Sequence, residues 1–193
     1  MATSETHICN LALGQIGAGR IANIQGTTQV ERDCAMVFND ARDAVLADFD
    51  WAFAREQARL ARLLETPKFH YAYAFQLPSD FIELRRFSVP NVAHEIVGDR
   101  LYANIDDCKI TYTRRVEDPV KFPAKFIEIL THRLSALLAA SVKKDPALSQ
   151  SWWTTYYGTI GVMEARTNGG EQQFQIDENP YVTSRNSAFL DRY

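Results

Sequence analysis

Cysteine is scarce and scattered in this chain. Its 193 residues include three, Cys9, Cys34 and Cys108, and no two of them form a C-x-x-C pair. That spacing excludes a zinc knuckle and a dithiol redox motif, and leaves free, partly buried thiols in a reducing compartment. A basic excess is also missing. Lys and Arg number 21 against 24 Asp and Glu, for a net charge of −3. A protein that grips nucleic acid over its whole surface needs a clustered basic face, so that class is excluded and only a local basic stripe stays open. No apolar run approaches the roughly 18 residues of a membrane span. The first residues, 1–7, are polar and lack the basic and apolar regions of a signal peptide. The expectation is a soluble protein made in the cytosol, with no membrane partner.

Hydrophobic residues make up 46% of the chain and aromatics 11%. Those fractions exclude a wholly disordered or fibrous protein. A chain of this length buries roughly 70% of its unfolded surface, enough to fold without a disulfide or a metal.

Ser4 is positioned to cap a helix over 5–15, where Ile8, Leu11, Ala12 and Ile16 follow helical spacing. Gly14, Gly17 and Gly19 end it. Thr28 and Glu31 then form a capping box, and Val30, Cys34, Phe38, Ala41 and Val45 recur behind it, so a second helix is predicted over 29–48. The period next changes to two. Residues 51–64 read as a strand, although 54–60 have strong helix propensity. Phe69, Tyr71, Tyr73, Phe75 and Leu77 alternate with small or polar residues, and 81–89 continue as a strand. Gly98-Asp99 marks a two-residue hairpin turn between 95–97 and 100–102. Cys108 to Val116 alternate as a half-buried strand. Residues 51–117 are thus expected to form one small antiparallel sheet. Pro123 opens a broadly apolar helix, and Asp145-Pro146 ends it and starts the last one, in which Trp153, Tyr156, Ile160 and Met163 share a side. Gly158 and Gly161 would let another backbone approach closely, and Gly169-Gly170 break the pattern. The fold class is α+β, mainly α: a helical bundle from 1–50 and 118–167, an inserted β subdomain at 51–117, and an extended C-terminal arm at 168–193. The arm's larger apolar residues, Phe174, Ile176, Tyr181, Val182, Phe189, Leu190 and Tyr193, are too few to offset the entropy of ordering it alone. It needs a partner to pack.

No catalytic constellation stands out. Gly17-Ala18-Gly19-Arg20-Ile21-Ala22 matches G-x-G-x-x-A, but a helix precedes it and no βαβ unit follows, so it reads as a glycine-rich helix stop. His94-Glu95 begins like H-E-x-x-H, yet position 98 is Gly98. The four His residues share no metal spacing. Asp48/Asp50 and Asp106/Asp107 are carboxylate pairs of the kind a glycosidase uses, and nothing separates them from turn and cap residues. Arg55, Arg59 and Arg62 are either a solvated face or a phosphate-contacting stripe, and as a strand only Arg55 and Arg59 share a side. No catalytic residue, metal or cofactor is assigned.

Several stretches, in order, resemble one family. They are Ile8-Cys9-Asn10-Leu11-Ala12-Leu13-Gly14-Gln15-Ile16-Gly17, Phe49-Asp50-Trp51-Ala52-Phe53-Ala54, Tyr73-Ala74-Phe75-Gln76-Leu77-Pro78-Ser79-Asp80, Ile110-Thr111-Tyr112-Thr113-Arg114-Arg115-Val116-Glu117-Asp118-Pro119 and Phe122-Pro123-Ala124-Lys125-Phe126. Together they resemble tail tubular protein A, the head-to-tail adaptor of short-tailed phages, over roughly residues 5–167. The resemblance implies a structural virion protein at the portal vertex, assembled in the host cytoplasm. It implies a homo-oligomeric, dodecameric ring between portal protein and tail nozzle protein that extends the DNA channel. Genome DNA would pass with non-specific contacts only, Arg55 and Arg59 being the candidate channel contacts. The arm residues would bind portal, and the hairpin at Asp99, Arg100 and Tyr102 would face the nozzle. Helices 29–48 and 123–143 are candidates for ring packing, because their apolar arcs exceed the needs of one bundle. The alternatives are a head-completion or tail-terminator protein of a long-tailed phage, or a virion-associated polysaccharide hydrolase.

Overall fold

A computed structural model describes residues 3–64, 67 and 70–176, with side chains to Thr167 in the last helix. The fold is α+β and mainly α. Among the described residues four helices form its body: α1 (Glu5–Gln15), α2 (Gln29–Asp48), α3 (Ala124–Ser141) and α4 (Pro146–Ile176). Each start has a chemical cause. Ser4 accepts the amide of His7 at 3.1 Å, and Asp145 accepts that of Leu148 at 3.0 Å. The capping box at α2 closes in both directions: Thr28 Oγ1 accepts from the Glu31 amide, and Glu31 Oε2 accepts from the Thr28 amide at 2.9 Å. The hydrogen bonds from Thr28 hold the Glu31 carboxyl below the usual carboxylate range. A Cβ at Gly26 would overlap that carboxylate, so glycine is what lets the loop close over the cap. The same loop is pinned from α1, where Asn10 accepts from the Ile21 amide and donates to its carbonyl.

Helix α3 lies at the centre. Phe126, Ile129, Leu130, Leu134 and Leu138 are fully buried, and the helix packs on α1, α2 and α4. Its broad apolar arc is therefore consumed inside the subunit, which corrects its expected role as a ring contact. Helix α2 keeps one large apolar residue out, Met36 at 69% exposure. Pro123 sits at the N-cap of α3 rather than in its first turn.

The residues between α2 and α3 build two sheets rather than the single one expected. β1 (Arg55–Arg59), β6 (Lys109–Arg114) and β3 (Phe81–Phe87) make one, with β6 central; β2 (Tyr73–Gln76), β5 (Arg100–Ala103) and β4 (His94–Val97) make the other. All pairs are antiparallel. A second hydrophobic core lies between the sheets, built from Leu60, Phe75, Leu77, Leu101, Ala103, Cys108, Ile110 and Tyr112. Two facing sheets bury both apolar faces, which one sheet cannot do. From Ile110 to Thr113 strand β6 is covered on both sides, Thr113 being fully buried and Thr111 nearly so, while Lys109 at its start is exposed, so most of it is not the half-buried strand its alternation predicts. Trp51-Ala52-Phe53 is not a strand either. A 3₁₀ turn spans Ala52–Ala54, and Trp51 and Ala54 join the helical core, as does Val116 at the other junction. Phe69 lies outside the described residues. The long alternation seen there shortens to Tyr73–Gln76, with Ala74 and Phe75 both buried.

Helix α4 continues to Ile176, through Gly169-Gly170 and beyond the expected end at Thr167. Each glycine costs an exposed helix about 1 kcal/mol relative to alanine without forbidding it. Phe174 and Ile176 thus belong to a helix rather than to an extended arm. Tyr181, Val182, Phe189, Leu190 and Tyr193 lie outside the described residues. Gly158 and Gly161 face open space, and no backbone among the described residues approaches them.

Two outcomes follow for stability. Thr28→Ala and Gly26→Ala each remove the same capping box. Each should cost about 1 kcal/mol in urea denaturation, and the double variant should cost less than the sum. Burial, with a hydrogen bond to Asp80, pushes the Tyr112 hydroxyl up to about 12. A raised folded value means the folded state holds that proton more tightly. Its contribution is therefore complete below the unfolded value of about 10 and is lost as pH rises towards 12. Denaturation midpoints measured between those limits should fall less steeply for Tyr112→Phe than for the wild type.

Candidate functional site

The two cores meet at a joint crossed by several charged groups. Helix α2 ends at Asp48, which leaves its last carbonyls without helical partners. Arg85 satisfies them. Its Nη2 donates to the carbonyls of Leu46, Ala47 and Phe49, each at 2.8 Å, and its Nε donates to Thr113 Oγ1 at 2.6 Å. Burial lowers the guanidinium's affinity for its proton, and the nearby Asp50 and Glu83 oppose that shift. A cation at a helix C-terminus also meets the negative end of the helix dipole. Arg85 comes from a bulge: β3 pairs Leu84 with Tyr112 and Arg86 with Thr111, leaving Arg85 as the extra residue. The bulge turns two consecutive arginines to the same face of the sheet.

Two further ties cross the joint. Asp43 of α2 accepts from Arg42 and from Arg115, both at 2.8 Å, Arg115 lying just beyond β6. Phe49, Trp51, Phe53, Phe122 and Phe126 interlock edge to face or tilted, with ring centres 4.8–6.2 Å apart. The Trp51 indole donates to the Val45 carbonyl at 2.7 Å.

Beside the joint is a groove of about 550 Å³ lined by Asp48, Asp50, Arg55, Arg85, Met163 and Glu164, among others. Its two aspartates are engaged. Asp48 accepts from the Tyr156 hydroxyl and from Arg133, whose guanidinium also lies over the Trp153 and Tyr156 rings. Burial and that hydrogen bond to Asp48 push the Tyr156 hydroxyl up. Asp50 takes a two-pronged pair from Arg55, at 3.1 and 2.8 Å. Asp106 pairs with Arg62, and Asp107 bridges Arg59 and Lys109. In the groove, the Asp48 and Asp50 bonds tie the end of α2 to α3 and α4 and the residues just after it to β1. Among the described residues no three His, Cys, Asp or Glu side chains gather into a metal site, and no helix is long and apolar enough to cross a membrane.

Arg55 and Arg59 do share a face of β1, opposite Thr113 and Lys109. The structure separates their surroundings, since Arg55 closes onto Asp50 at the joint while Arg59 lies at the open end of the sheet, 71% exposed. The hairpin closes at Gly98-Asp99, with Val97 paired to Arg100 and Gly98 at φ +62°, which suits a residue without a Cβ. Asp99 is held by Gln76, whose amide donates to its carboxylate at 3.1 Å and keeps that carboxyl below its ordinary range. Asp99 is exposed, Arg100 and Tyr102 are half-buried, and all four residues of β4 are exposed. The thiols are more deeply buried than expected. Cys9 and Cys34, distant in sequence, meet between α1 and α2, and the hydrogen bond between them with burial raises the Cys9 thiol. Sequence reasoning missed Arg85, Arg86, Asp43 and Arg115. A pair of arginines inside a strand pattern was the available signal, but alternation sends neighbours to opposite faces and hides a bulge.

Arg85→Ala should destabilise the protein by about 2–3 kcal/mol, because it strips a charged donor from buried carbonyls. Arg85→Lys should recover only part, since an ammonium cannot span that set of acceptors. Trp51, Trp152 and Trp153 all belong to the helical core. Tryptophan fluorescence and far-ultraviolet circular dichroism should therefore report one transition in the wild type and separated transitions in Arg85→Ala. No family model matches the chain and no curated protein matches it, so the reading of these surfaces rests on sequence resemblance and geometry.

Proposed function

We propose that the protein is a structural virion protein, a head-to-tail adaptor that forms a ring between portal and tail nozzle and extends the DNA channel. One observation carries this reading. Three of the five stretches that resemble the adaptor family contribute to the joint. Phe49 to Ala54 supplies three of its five rings, Phe122 to Phe126 supplies the other two, and Ile110 to Pro119 supplies Thr113 and Arg115. Three weak motifs that converge on one mechanical element are better explained by a shared architecture than by chance composition.

The architecture suits the role. The joint braces a helical body against a β unit, as a subunit loaded between two partners requires. A ring needs heterologous contacts, one patch meeting a different patch next door. Exposed apolar side chains supply candidates: Met36 on α2, and Tyr157 and Val162 on α4, at 69%, 61% and 53% exposure. The hairpin at Asp99, Arg100 and Tyr102 is the candidate nozzle contact, and the C-terminal residues beyond α4 are the candidate portal tether.

Light scattering tests the reading. The isolated protein should be a monomer or small oligomer and should assemble into a ring when portal is added. Truncation after Ile176 should leave the melting temperature nearly unchanged and weaken portal attachment severely. Robust polysaccharide hydrolysis without portal affinity would overturn the adaptor reading. Undiminished attachment of the truncated chain would overturn the tether alone.

A further inference from the structure

The sheet formed by β1, β6 and β3 has one face in the second core and one face turned outward. Near the joint, Arg85 covers the outward face. At its far end the face is open and forms a shallow pocket of about 440 Å³, lined by Gln57, Arg59, Arg86, Ser88, Lys109 and Thr111, among others. Register puts these groups together: Arg59 lies opposite Lys109, Gln57 opposite Thr111, and Thr111 opposite Arg86. Three cations from three neighbouring strands therefore converge, with hydroxyl and amide donors between them and no carboxylate among the lining residues. The nearest acid, Asp107, is shared by Arg59 at 2.6 Å and Lys109 at 2.9 Å, leaving an excess of positive charge. Among the described residues Arg86 has no ion-pair partner, and its side chain is exposed. This concentration sits on a chain whose net charge is −3.

We infer that this open end of the sheet is a phosphate-contacting surface for the backbone of duplex DNA, with Arg86, Lys109 and Arg59 as the contacting residues. Charge complementarity selects a polyanion. Arg59 and Lys109 lie side by side and Arg86 sits diagonally from Lys109, beside Thr111, so the three cations spread over an open surface rather than an enclosed pocket, which suits a repeating phosphodiester better than a single small anion. Phe87, the one aromatic side chain lining the pocket, is packed into the second core and against His94, so no free ring is offered for base stacking. The contact is thus independent of base sequence. Asp107 competes for two of the three cations and keeps the contact weak, as a surface that DNA slides past requires. The choice of DNA among phosphate polymers rests on the adaptor reading, whereas the anion chemistry of the surface does not.

The test is fluorescence anisotropy of the full chain with a short fluorescein-labelled DNA duplex of random sequence, titrated from about 50 to 200 mM salt. Binding should be weak, with log K falling against log salt at a slope of about −2 to −3, close to 0.9 per phosphate neutralised. Arg86→Ala and Lys109→Gln are exposed-site changes that should leave the circular dichroism spectrum intact, and each should reduce the slope by about 1. Asp107→Asn frees two cations and should tighten binding. The inference is overturned if the full chain shows no salt-dependent binding, or if both cation variants keep the wild-type slope. Polyglutamate competing as well as unlabelled DNA, charge for charge, overturns the phosphate assignment. Portal-induced ring assembly of the same variants separates this surface from the adaptor reading: intact assembly with no DNA binding removes the surface only, and intact DNA binding with no assembly removes the adaptor only.

Discussion

The end of helix α2 is the constraint on which the rest of the structure depends. An α-helix leaves its last carbonyls without partners, and a buried carbonyl without a donor is expensive. Here those carbonyls point at the insertion between α2 and α3, and one guanidinium from β3 answers three of them while holding Thr113 of β6. That guanidinium fixes the position of the central strand relative to the helical body. Strand β6 carries β1 and β3 on its edges, so the sheet is positioned through that side chain together with the Asp43–Arg115 and Asp50–Arg55 pairs.

The bulge that supplies Arg85 does two jobs. By putting one extra residue into β3 it sends Arg85 towards the helix end and leaves Arg86 on the same side at the open end of the sheet. Structure and candidate surface chemistry thus share one local backbone irregularity. Positive charge that is neutralised at the joint, where Asp43, Asp48 and Asp50 meet Arg115, Arg133 and Arg55, is left partly uncompensated at the far end. A mildly acidic protein can therefore present a local cationic face without being basic overall.

Helices were the most legible part of the chain. Ser4, the Thr28–Glu31 capping box and Asp145 are local signals, and a helix start depends on groups within three or four residues of it. Helix ends were less legible. Glycines at 169 and 170 weaken a helix by amounts that other terms outweigh, and α4 passes through them. The sheets were legible as strands and illegible as sheets. Alternation tells which residues share a side of one strand, yet it does not say which strands pair, and two three-stranded sheets have the same local pattern as one of six.

The sequence by itself determined the class of the fold, the starts of its helices, the hairpin at Gly98-Asp99 and the lack of overall basic charge. Each of these depends on backbone preference, capping or composition, which act over a few residues or over the chain as a sum. Only the tertiary structure decided that α3 consumes its apolar arc inside the subunit, that Cys9 meets Cys34, that Arg55 is bound to Asp50, and that Arg59, Arg86 and Lys109 converge. Those outcomes depend on which surfaces meet in the folded chain, and except for the Asp50–Arg55 pair the groups involved are tens of residues apart. A side chain's partner across that distance is set by packing and register, for which no local pattern exists.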